Sequence, residues 1–143
     1  MGTKTKQQSY LTKLKVLTEA LPSWKPCDED VGWLSVELEK GSSHLRNLMH
    51  RPRIAVSDVI FSIDALYEEH SHKQKEFMIV YAGEIHVATE KKTYVLKAGD
   101  SVYFEANEAH SVWCPVASRA LAVTIPAADE FPRGHIANGK SQT

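Results

Sequence analysis

Beyond Trp33 the chain settles into a two-residue rhythm. Leu34, Val36 and Leu38 alternate with Ser35, Glu37 and Glu39, the pattern of a strand with one buried face, and Gly41-Ser42-Ser43 marks a turn after it. Short runs of the same kind follow at roughly ten-residue spacing. They cover 44–49, 54–63, 75–82, 84–90, 92–97, 101–105, 110–114 and 119–125, with Pro52, Gly83, Lys91-Lys92, Gly99 and Pro115 between them. Many short strands and few helical windows predict an all-β fold, an antiparallel jelly-roll barrel or sandwich. Ahead of the strands, Tyr10, Leu14, Leu17 and Leu21 recur at helical spacing and predict a short amphipathic N-terminal helix that Pro22 stops. The expected organisation is an N-terminal helix and linker over 1–32, one β-barrel over 33–126 and a tail over 127–143.

Composition narrows the class further. A length of 143 residues suits one domain with one core. A net charge of −1 lacks the basic excess of a nucleic-acid binder, so no nucleic-acid partner is expected. No apolar run is long enough for a membrane span and Met1 to Ser9 has no apolar leader, which makes the cytoplasm the expected location. Cys27 and Cys114 are too few for a disulfide framework. The apolar stripe of the helix and an edge strand near Leu34 to Leu38 both need cover, and a homodimer is the expected way to supply it.

One group of residues specifies chemistry. His70 and His72 are separated by one residue, so on a strand their imidazoles project to the same side. Glu76 follows within reach, and His110, eleven residues after Gly99, is the natural fourth member. Imidazoles with one carboxylate suit one divalent transition metal (Fe, Mn, Zn, Ni or Cu) better than calcium or magnesium. The bland alternative, solvated surface histidines, is weakened by the spacing, although it is the expected fate of His44, His50, His86 and His135. Asp28-Glu29-Asp30 reads as a solvated charge run, and Cys114 as core packing.

The stretch from about Leu66 to Pro126 resembles the cupin superfamily, whose first motif is G-x5-H-x-H-x3-4-E-x6-G and second is G-x5-P-x-G-x2-H-x3-N. His70, His72, Glu76 and Gly83 match the first, with Asp64 at the leading glycine. Gly99 and His110 match the second, with Glu105, Asn107 and Cys114 replacing proline, glycine and asparagine. The resemblance implies a cupin barrel and a metal held by His70, His72, Glu76 and His110. Asn107 tolerates the left-handed conformation that a glycine position demands.

If His72 and Glu76 face inward, alternation turns Met78 and Val80 inward too and leaves Phe77, Ile79 and Tyr81 outside, so the pocket is expected to be apolar. His110, Val112 and Cys114 share a face by the same count. Tyr67, Tyr103 and Trp113 are candidates for the cavity mouth. Two functions fit. One is a metal-dependent enzyme of oxygenase, isomerase or decarboxylase type acting on a small polar molecule. The other is a non-catalytic module that binds or senses a metal or metabolite. No general acid or base stands out beyond the ligands, so the catalytic residues stay unassigned.

Overall fold

The computed structural model describes residues 24–27 and 32–127. The helix expected at residues 10–21, the acidic run at 28–30 and the tail from 128 onward lie outside the described residues. Within them are ten strands: β1 Leu34–Glu37, β2 Ser42–Arg51, β3 Ile54–Phe61, β4 Ala65–His70, β5 Lys75–Ala82, β6 Glu84–Thr89, β7 Thr93–Lys97, β8 Ser101–Phe104, β9 His110–Cys114 and β10 Ser118–Ile125. They form a six-stranded sheet, β1-β2-β3-β10-β5-β8, and a four-stranded sheet, β4-β9-β6-β7. All ladders are antiparallel.

The alternation read from the sequence decides what faces inward. On β5, Met78 and Val80 are buried while Ile79 is exposed, and on β9 His110, Val112 and Cys114 are all buried. Met78, Val80, Val112 and Cys114 join one core with Leu45, Val59 and Phe61 of the large sheet and Ile85, Val87 and Leu96 of the small one. Each such side chain removed from water contributes roughly 1.5–3 kcal/mol. A one-residue slip would turn the set outward, which fixes the register.

Three expectations need revision. β4 falls where no strand was expected, because Leu66-Tyr67-Glu68-Glu69 does not alternate cleanly. His44 is not solvated: it is buried on β2, with Nδ1 2.7 Å from Ser35 Oγ, and burial lowers its pKa. Tyr103, a candidate for the cavity mouth, does not line the cavity but stands 47% exposed on β8.

The outer face of the large sheet hides a charge pair. Asp58 on β3 and Arg119 on β10 are almost wholly buried, with Arg119 Nη2 and Nε donating to the carboxylate at 2.6 and 2.9 Å. Arg46 of β2 donates to the same carboxylate at 3.4 Å and to the Trp24 carbonyl at 2.8 Å. The Trp33 ring covers both guanidiniums, and Tyr81 packs against Arg119 and Trp24.

Candidate metal centre

The site forms where β4 ends. His70 is the last residue of that strand and is the direct register partner of His110, the first residue of β9. Strict alternation would put Tyr67 and His70 on opposite faces. The β4–β9 ladder shifts register between them, from Tyr67 opposite Val112 to His70 opposite His110, so both side chains line the interior. His72 sits beyond the strand, in the connection to β5. Its loop is tied to the second motif by the Asn107 backbone N–H, which donates to the His72 carbonyl at 2.7 Å.

Both turn positions where glycine is replaced keep the conformation a glycine would adopt. Asp64 has φ 62° and Asn107 φ 66°, in the left-handed region that aspartate and asparagine enter more easily than most residues. At Gly83 no such substitution is open, since a Cβ there would overlap Ser118 and the Ala117 carbonyl.

One ring nitrogen from each of His70, His72 and His110 lies within 4.8 Å of the others. Each Nδ1 meets a backbone carbonyl: His70 with Glu68 at 2.7 Å, His72 with Gln74 at 2.8 Å and His110 with Glu108 at 2.9 Å. A carbonyl only accepts, so each Nδ1 carries the proton and each Nε2 keeps its lone pair for a metal. The His110 ring is further fixed by the buried Phe104, stacked parallel at 3.9 Å.

Glu76 on β5 stands opposite Phe104 of β8 and lines the same cavity. Its Oε1 is 3.0 Å from His72 Nε2. The group of three mutually close nitrogens does not include it. With the His72 proton on Nδ1, a lone pair and a carboxylate oxygen face each other there, and the contact is favourable only with a cation between them. A second proton on His72 meets that need, and so would a divalent cation held by both groups. The donor set therefore fits a divalent transition metal.

Electrostatics separate the three imidazoles. Burial lowers the pKa of His70 and of His110 despite the nearby Glu76 charge, so both are neutral and ready to bind. For His72 burial works in the same direction, but the Glu76 hydrogen bond and charge outweigh it and the pKa is raised.

Behind the histidines lies a cavity of about 50 Å³, lined by Leu45, Val59, Phe61, Met78, Val112 and Ala122 together with Tyr67, His70, Glu76 and His110. The expected apolar lining is present. Cys114 is not part of it; burial in the core pushes its thiol pKa up to about 12, which keeps it a neutral, unreactive thiol at physiological pH. Trp113 is partly exposed and packs edge-on against His86, which in turn bonds Glu84 at 2.6 Å. Two residues beside the site went unnoticed in the sequence. Ser43 shares a hydrogen bond with the Tyr67 hydroxyl at 2.7 Å. Thr124, opposite Glu76 in the β10–β5 ladder, has a buried hydroxyl with no hydrogen-bond partner among the described residues.

Residues 60–126 match the family model described as a cupin domain. Over that stretch the chain carries a cupin domain. No curated protein matches this cupin in sequence. Among solved structures it is similar to an RmlC-like cupin from Shewanella frigidimarina, with 23% identity, a TM-score of 0.63, and 69% of this chain aligned to 88% of that one. KdgF from a Halomonas species gives 20%, 0.63, 70% and 92% for the same four quantities. A predicted oxalate decarboxylase from Thermotoga maritima gives 18%, 0.59, 66% and 92%. At these identities the likeness concerns the fold.

Proposed function

We propose that this cupin is a metal-dependent enzyme that holds one divalent transition metal on His70, His72, His110 and Glu76 and acts on a small molecule in the adjoining cavity. The observation that carries this reading is the common orientation of the three imidazoles. Three separate backbone carbonyls hold the three Nδ1 protons, so three lone pairs are directed to one place before any metal arrives. When bound, the metal would supply Lewis acidity, or a place where dioxygen and substrate meet. The chain's own residues orient the ligands, and the apolar walls keep bulk water from the cavity.

Isomerase, decarboxylase and oxygenase chemistry all suit such a site, and one fold neighbour, a predicted oxalate decarboxylase, supports the middle of these. The second reading, a module that binds or senses a metabolite without turnover, is favoured by one observation: among the described residues, no carboxyl or imidazole beyond the ligand set lines the cavity. β1 is an edge strand of the large sheet, with Ile79 and Ile125 exposed on that sheet. This supports a homodimer as the working assembly.

Protein purified anaerobically, without added nickel or zinc, is expected to carry or accept one equivalent of divalent metal by elemental analysis. Retention of no metal after reconstitution with iron, manganese, cobalt and zinc in turn would overturn the assignment.

A further inference from the structure

The cavity behind the histidines departs from what a polyhydroxylated substrate needs. Six of its lining residues, Leu45, Val59, Phe61, Met78, Val112 and Ala122, offer no side-chain hydrogen bond. A sugar-like ligand would leave most of its hydroxyls unpaired there, each at a cost of about 1–3 kcal/mol. A single hydroxyl pair interrupts the apolar wall: Tyr67, which lines the cavity from β4, and Ser43 behind it on β2. The two residues hold two O–H donors and share one hydrogen bond. Among the described residues, no acceptor takes the second proton. When Ser43 donates to Tyr67, the phenolic O–H is left to donate to whatever occupies the cavity.

We propose that the ligand of this site is a small metal-chelating molecule, one of whose oxygens accepts from Tyr67, with an unsubstituted aliphatic body packed among Val59, Met78, Val112 and Ala122. The inference rests on the metal reading above and adds the chemical class of the ligand. The volume agrees: about 50 Å³ of cavity space takes a few non-hydrogen atoms beyond the metal, not a ring bearing several hydroxyls. Tyr67 also joins the two sheets, since β4 and β2 belong to different ones. A purely architectural tyrosine would serve that purpose without any effect on ligand choice.

The experiment uses the full chain loaded with cobalt(II), whose binding is measured first. It is then titrated by calorimetry with two five-carbon 2-hydroxy acids that share a chelating head: 2-hydroxypentanoate, with an aliphatic body, and ribonate, with a polyol body. The expected result is at least tenfold tighter binding of 2-hydroxypentanoate. Tyr67→Phe is expected to lose about tenfold in that affinity while the ratio of cobalt to protein is followed in the same sample. Ala122→Leu, which fills the cavity, is expected to abolish acid binding and keep the cobalt spectrum. Equal affinity for the two acids in cobalt-loaded protein would overturn the ligand class. A Tyr67→Phe variant with a lower melting temperature and unchanged acid affinity would leave the tyrosine an architectural residue and overturn its assigned role. Failure to bind cobalt at all would sink the metal reading itself, and the ligand class with it.

Discussion

His72 and Glu76 define how the proposed metal and protons compete. His70 and His110 have lowered pKa values, from burial first, so near pH 6.5 they already present lone pairs. His72 has a raised value because the hydrogen bond and charge of Glu76 overcome burial, so it still holds a second proton there. Metal uptake near pH 6.5 is therefore expected to release about one proton, with the number falling toward zero as pH rises past the His72 value. Calorimetry in buffers of different ionisation enthalpy counts it. Glu76→Gln removes what raises the His72 pKa, so its release at pH 6.5 should shrink. A release that stays constant across this pH range would mean that His72 is not the competing group.

The left-handed turn at Asn107 gives a second test on the same scale. Asn107→Ala should cost about 1 kcal/mol in urea unfolding, whereas Asn107→Gly should stay close to the parent protein. Equal stability of all three would show that the turn relaxes to another conformation. Spacing in the sequence singled out His70, His72 and His110, which the fold brings together, and Asn107 stood out by its conformational tolerance. What spacing did not reveal is that Glu76 touches His72 while remaining outside the close trio of nitrogens. That depends on where the connection after β4 carries His72.

At the level of elements, alternation predicted β1, β5, β6 and β9 closely and missed β4. The reason is local. The register shift between Tyr67 and His70 breaks the two-residue rhythm at the place where the site needs two inward side chains out of phase. The same irregularity concealed the Tyr67–Ser43 pair, whose partners come from different sheets. The Asp58–Arg119 ion pair was equally invisible, since its members are 61 residues apart and meet only because β3 and β10 are neighbours. Asp58→Ala leaves Arg119 buried without its main counter-charge and is expected to cost roughly 3–5 kcal/mol in chemical denaturation. A double replacement, Asp58→Leu with Arg119→Met, should recover much of that loss. If Asp58→Ala unfolds like the parent, water or another anion reaches the guanidinium and the pair does not hold this face together.

For the whole molecule, the barrel brings together two motifs that are far apart in the chain. His70 and His110 become register partners only when β4 and β9 pair, and Phe104 then holds the His110 ring from the opposite sheet. The central claim is that this convergence is a metal site and not a group of buried histidines. The most direct test is metal titration of two variants beside the parent protein. His110→Ala removes a proposed ligand, and His86→Ala removes a histidine from the outer face of the small sheet, where it pairs with Glu84. With strand content unchanged by circular dichroism, His86→Ala should bind one equivalent of cobalt(II) or zinc as the parent does, and His110→Ala should lose at least tenfold in affinity. Equal retention of metal by the two variants would contradict the account.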